Sequence, residues 1–415
     1  MTQPPEPGRP GPPEPERTVE SPQVAATTDT SALAPEAATD TSALAPDAAT
    51  DSSTSSRPID VAPPSPRSMT LSLGMLATAV LVAVLAFLPV PYVVNSPGPT
   101  RDTLGVMDGS PLISVTGATT YPTTGKLLLT TASVQGGPGY PVDVVHVLAG
   151  WLSSGSTVQP AETVFPTGAT SAEVAKAGEQ QMASSQENAT VAALTQLGYA
   201  VPATLTIAGD VSGTGAAGVV DKGDVITSFD GKAVVTYQDL VDDLKAVTPG
   251  ARVALGVKRN GSIVTLSVVT GTKKAGGAQL GVLIDPTFTL PIDVKIKIND
   301  IGGPSAGMMF ALGIIDKLTP RDDTGGYVIA GTGTIDVDGT VGAIGDIRQK
   351  FYGALRDGAH WFLAPASNCA DVLGAVPAGL HVVKVSTLRD AEQAVQTIAA
   401  GKGATLPTCT AADVS

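Results

Sequence analysis

Residues Asp300–Ile315 read DIGGPSAGMMFALGII, and residues Ala330–Leu355 read AGTGTIDVDGTVGAIGDIRQKFYGAL. Ahead of the first stretch, the alternating run Asp293–Ile298 (DVKIKI) predicts a strand. It feeds Gly302, Gly303 and Pro304, after which Ser305 opens an apolar helix to Leu318. A serine in that place has two chemical assets. Neighbouring glycines let backbone N–H groups turn towards a bound carbonyl oxygen, and a helix N-terminus offers positive potential to an oxyanion. The same place also suits an ordinary N-cap serine, so Ser305 needs a base before it can be read as a nucleophile.

The second stretch supplies a candidate base. It reads as a strand, a hairpin at Asp338-Gly339, a short strand and a helix from about Asp346. Lys350 falls one turn into that helix, 45 residues after Ser305. A lysine deprotonates serine only when it is itself neutral, and burial lowers its pKa because desolvation disfavours the ammonium. A second pattern overlaps the first. Gly303–Gly307 satisfies G-x-S-x-G, the nucleophile elbow of α/β-hydrolases. That alternative needs Asp346 or Asp357 with His360 or His381, and no alternating parallel-sheet pattern precedes Ser305.

GGPSAG opening a helix, followed by TGTIDVDGTVGAIGDIRQK, resembles the proteolytic domain of Lon proteases. The likeness is greatest to the membrane-anchored, PDZ-containing Lon-like proteases of Gram-positive bacteria. The resemblance implies that Ser305 is the nucleophile, Lys350 its base and Thr332 a supporting partner, with Gly303 and Pro304 shaping the loop. Typical Lon has an acidic residue two positions before the motif proline, where this chain has Gly302. Gly125–Leu129 and the helix-like stretch Ala172–Leu197, through Met182 and Ser185, resemble the first strands and first helix of the same domain. The domain would then be discontinuous. Between its parts stand Lys222-Gly223-Asp224-Val225-Ile226, Asp230-Gly231-Lys232, a helix at Tyr237–Val247 and Arg259-Asn260-Gly261. These resemble a bacterial PDZ domain, a module that adds a peptide as an extra strand to a sheet edge. Its glycine-flanked carboxylate loop is not evident, so no binding residue is assigned.

Met69–Leu88 (MTLSLGMLATAVLVAVLAFL) has no charged residue, and its apolar character runs on through Val94, enough for a bilayer-spanning helix. Arg67 before it favours an N-terminus inside and a catalytic region outside the plasma membrane. Residues 1–68 are rich in Pro, Ala, Thr and Ser and repeat TDTSALAPEAA as TDTSALAPDAA. With four Arg against ten Asp and Glu, a net −6, they read as a disordered tail. The whole chain of 415 residues carries −13, which argues against nucleic acid as a partner. Its cysteines, Cys369 and Cys409, are a disulfide in an exported domain or two free thiols otherwise. With three scattered histidines they form no metal cluster, and no cofactor is expected. No G-x-x-x-x-G-K-[ST] occurs, so no ATPase module is expected either.

The expected architecture is α+β. It comprises the tail (1–68), a transmembrane helix (69–94) and a first protease part (95–200). A PDZ-like domain (201–272), a catalytic part (273–400) and a C-terminal tail (401–415) follow. The expected function is that of an ATP-independent, single-pass serine endopeptidase with a Ser-Lys dyad. It would cut flexible or unfolded extracytoplasmic protein segments, with the PDZ domain recognising substrate or regulating. A homo-oligomer is left open. The alternative is a catalytically inactive, membrane-anchored PDZ scaffold for protein binding.

Overall fold

A computed structural model describes residues 66–273, 276–298 and 301–414. Apart from its last three residues, the expected N-terminal tail lies outside them, as does Asp300 of the motif. The first element is a helix, Pro66–Ala86. Its window Met69–Ala86 has a mean hydropathy of 2.2 and no buried residue. It is long and apolar enough to cross a membrane. It stops short of Val94, where the apolar run ends. Pro89 and Pro91 interrupt the backbone hydrogen-bond pattern, and the β-branched pair after them enters a strand, Tyr92–Asp102, with Val93 and Val94 buried.

That strand belongs to a six-stranded sheet. Its order is His381–Val385, Trp361–Pro365, Val328–Gly331, Lys126–Gln135, Tyr92–Asp102, Thr157–Pro160. The first four strands run parallel and the last two antiparallel to their neighbours. The parallel pairing has no local signature because its partners are remote in sequence. Thr130 Oγ1, for example, donates to the Gly331 carbonyl across 201 residues.

On this sheet lies the helix Gly307–Leu318, ten of whose twelve residues are buried. Phe310, Ile314 and Met309 meet Leu127 and Leu129 of the sheet, Ala189 and Ala193 of the long helix Ser171–Gln196, and the apolar face of the helix Leu388–Ala399. Burying a side chain of that size contributes about 1.5–3 kcal/mol. The long helix starts with a capping box in which Thr170 and Glu173 satisfy each other's backbone N–H.

Residues 203–288 build a second core around Leu205, Ile207, Phe229, Leu255 and Val257. Their sheet runs Ser262–Val269, Arg252–Arg259, Val225–Phe229, Ala203–Asp210, Val282–Phe288. The last strand falls beyond residue 272, where the sequence reading ends this segment. It joins the sheet because it pairs with the first strand, and Phe288 stands opposite Ala203. Arg259 grips the buried Asp224 with Nε and Nη2 at 2.8 and 2.6 Å, tying the end of the strand Arg252–Arg259 to the start of the neighbouring strand Val225–Phe229. At the C-terminus, Cys369 and Cys409 are joined in a disulfide. The Lys384 N–H donates to the Pro407 carbonyl, so the last segment lies against the sheet.

Candidate active site

Ser305 does not begin the helix, as the sequence suggests it should. The helix starts at Gly307, and the reason is a pair of contacts from residues just after the strand Val328–Gly331. The Ser305 carbonyl accepts the Gly333 N–H at 2.9 Å and the Thr332 hydroxyl at 3.0 Å, so it is engaged away from the helix axis. Ser305 therefore sits in the turn before the helix, half-buried. Gly303 has φ +88, a backbone region open to glycine at little cost. Its N–H donates to the Gly178 carbonyl of the long helix at 3.1 Å, so in this structure it faces that helix and not an oxyanion. Ser185 Oγ donates to the Pro304 carbonyl at 3.0 Å. A Cβ on Gly307 would lie 2.7 Å from Ile335 and 2.9 Å from Ser185 Oγ, so only glycine fits this approach. Gly302 lies against Gly178 and brings no side chain to the site. Among the described residues, the N–H groups of Ser305 and Ala306 have no partner.

Lys350 reaches the serine from the helix Ile347–Arg356. Its Nζ donates to Ser305 Oγ at 2.9 Å and to Thr332 Oγ1 at 3.0 Å. Lys350 is 4% exposed and Thr332 fully buried. Burial brings the Lys350 pKa down from its ordinary 10.5 to about 8, against the opposing pull of the Asp346 carboxylate. Thr332 thus joins both groups: one hydroxyl receives from Nζ and donates to the carbonyl of the serine.

Two further residues of this neighbourhood meet with no motif to announce them. Asp346 precedes the lysine helix at φ +57, a conformation aspartate tolerates better than most residues. Its Oδ1 accepts Asn95 Nδ2 at 2.7 Å, and Asn95 is buried in the sheet. The available signal is the polar Asn95 placed directly after the apolar run Tyr92–Val94.

The histidine alternative finds no geometry. His360 Nδ1 lies 3.1 Å from the Gly379 carbonyl, and His381 stacks on Trp361. Asp357 pairs with Arg356 and Thr100. Among the described residues no group of three His, Cys, Asp or Glu is placed to hold a metal ion.

A groove of about 1110 Å³ runs beside the serine loop, walled by Phe165, Gly168, Gly178, Gln181, Ile301 and Gly302. It is open and largely apolar, with room for an extended peptide.

Residues 280–398 match the family model of the Lon protease (S16) C-terminal proteolytic domain, and residues 208–270 match that of the PDZ domain. Lon protease 1 of Sorangium cellulosum is 36% identical over 124 residues, 28% of this chain and 15% of that protein. The Lon protease of Clostridioides difficile is 39% identical over 93 residues, 21% of this chain and 12% of that protein. The chain therefore spans less than a fifth of the length of these relatives. Among solved structures, the PDZ domain of an SdrC-like protein from Listeria monocytogenes is similar at 22% identity and a TM-score of 0.19. That match covers 20% of this chain and 86% of the other.

Proposed function

We propose that this chain, which carries a Lon-type proteolytic domain and a PDZ domain, is a membrane-anchored serine endopeptidase working through Ser305 and Lys350. The observation that carries the reading is the 2.9 Å contact between Ser305 Oγ and the Nζ of a lysine that is 4% exposed. A neutral Lys350 takes the proton of Ser305 as Oγ attacks a peptide carbonyl. The Thr332 hydroxyl keeps Nζ on the line of attack. The N–H groups of Ser305 and Ala306 are the donors best placed to hold the oxyanion. Protonated Lys350 then releases its proton to the leaving amine, and the acyl group on Ser305 is removed by water activated by the same lysine.

The protease domain is read as discontinuous, its parts contributed from both sides of the PDZ domain. The helix Pro66–Ala86 supports a single-pass anchor. The lone Arg67 supports a cytoplasmic N-terminus and an extracytoplasmic catalytic region. Without a P-loop motif the protein works without ATP and cuts segments that are already flexible. The PDZ domain then selects or presents substrate by its sheet edge. The test is cleavage of a permanently unfolded polypeptide by the full chain in detergent, with no nucleotide added. Fragments that vanish in Ser305→Ala support the reading. Cleavage that persists in that variant, or that requires ATP, contradicts it.

A further inference from the structure

The helix Val144–Leu152 (VVHVLAGWL) has no acidic or basic residue other than His146. It buries Val147 and Gly150 against Val94 and Val158 of the sheet. Its other side carries Val145, Leu148, Trp151 and Leu152, which are 46, 50, 61 and 89% exposed. Tyr140, just before it, is 74% exposed. A contiguous apolar face of this kind on a water-soluble surface calls for an occupant.

The chain path says which one. The membrane-type helix ends at Ala86, and three residues further on Pro89 and Val90 pair with Asp143 and Val142. Three residues reach at most about 10 Å, and paired strands lie about 5 Å apart. Asp143 is itself the N-cap of the helix, accepting from the His146 N–H. The short helix therefore starts where the anchor leaves the bilayer, and the two helices touch. From Gly136 to Pro160 the only acidic or basic residue besides His146 is Asp143, and its carboxylate is occupied by the cap and the His146 ring.

We infer that the helix Val144–Leu152 lies in the outer membrane interface, with Val145, Leu148, Trp151 and Leu152 immersed among the lipid headgroups and upper acyl chains. The occupant of the face is the bilayer that the anchor crosses. An uncharged, Trp-bearing helix suits that layer, where amphipathic aromatic rings concentrate. The face then acts as a second foothold. It fixes the tilt of the sheet over the membrane, because the helix packs directly on Val94 in the strand that also holds Asn95. This inference rests on the anchored reading above, and its test separates the two.

The chain has two tryptophans, Trp151 and Trp361. In the full-length Trp361→Phe protein, reconstituted into phosphatidylcholine vesicles, Trp151 is the only tryptophan. Lipids brominated near the top of the acyl chain should quench most of its emission relative to unbrominated vesicles. Leu76→Trp in a Trp151→Phe, Trp361→Phe background, read with lipids brominated near the end of the acyl chain because position 76 lies at mid-helix, reports on the anchor helix. Labelling of Ser305 by a serine-reactive probe verifies that each variant is folded. Quenching at both positions supports the inference. Quenching at position 76 without quenching at Trp151 overturns it and leaves the anchor intact. No quenching at either removes the anchor and the inference together. Emission of Trp151 that responds to protein-to-lipid ratio but not to bromine would assign the face to a second copy of the chain, and also overturns it.

Discussion

Replacing Lys350 by Met should abolish acylation and yet stabilise the fold at neutral pH. Burial lowers the lysine from 10.5 to about 8, so the folded protein holds this proton less tightly than the unfolded chain does. Stability from this site is complete above pH 10.5, falls as pH drops towards 8, and is constant below. At pH 7 the gap corresponds to about 3 kcal/mol of destabilisation. Methionine has a similar shape and no charge, so it removes that burden. In exchange, the hydroxyls of Ser305 and Thr332 each lose a partner, about 1 kcal/mol apiece. The variant should therefore be about 1 kcal/mol more stable than wild type at pH 7 and about 2 kcal/mol less stable above pH 10.5, crossing near pH 9. For domains of this size, 1 kcal/mol moves the melting temperature by about 2–4 °C. Thermal melts of both proteins in one detergent from pH 7.5 to 10.5 read the difference, in which all other titrations cancel. A difference that does not change with pH would mean that Lys350 titrates alike in both states. The argument for a neutral buried base would then fail.

Other consequences are simpler to score. Thr332→Val should slow acylation by about 10- to 100-fold, because it removes both the acceptor for Lys350 Nζ and the donor to the Ser305 carbonyl, while Thr332→Ser keeps most of the rate; equal rates in the two variants would remove Thr332 from the site. Replacing residues 203–288 by a short Gly/Ser linker should leave a folded protein whose Ser305 still reacts, because Ala203 and Phe288 are paired neighbours. Deleting residues 121–198 should unfold it, and a fragment from residue 200 onward that folds and acylates would show a continuous protease domain. Cys369→Ser with Cys409→Ser should lower stability by about 4 kcal/mol on chain-entropy grounds, and free thiols in protein purified without reductant would contradict the bond.

What could be read from sequence was what is local. Ser305 and Lys350 sit in short motifs whose own glycines and apolar runs announce a turn and a helix. The structure brings their side chains together along with Thr332. What could not be read depends on distant partners. The helix start moved from Ser305 to Gly307 because the serine carbonyl is held by residues 27 and 28 positions later. The Asn95–Asp346 contact spans 251 residues. Val93 and Val94 look like the end of a membrane helix by hydropathy, and only the sheet they enter tells them apart from it. The strand Val282–Phe288 has no local mark of its pairing, because its partner, Ala203–Asp210, lies more than seventy residues earlier.

The most direct measurement is the pH dependence of Ser305 acylation by a fluorophosphonate probe, with the adduct located by mass spectrometry. Labelling should fall on Ser305 and rise with pH through a midpoint near 8 to a plateau above about 9, following the lysine. It should vanish in Lys350→Ala and persist in His360→Ala and His381→Ala. An adduct on another residue, undiminished labelling in Lys350→Ala, or loss of labelling in a folded histidine variant would contradict a Ser305–Lys350 dyad.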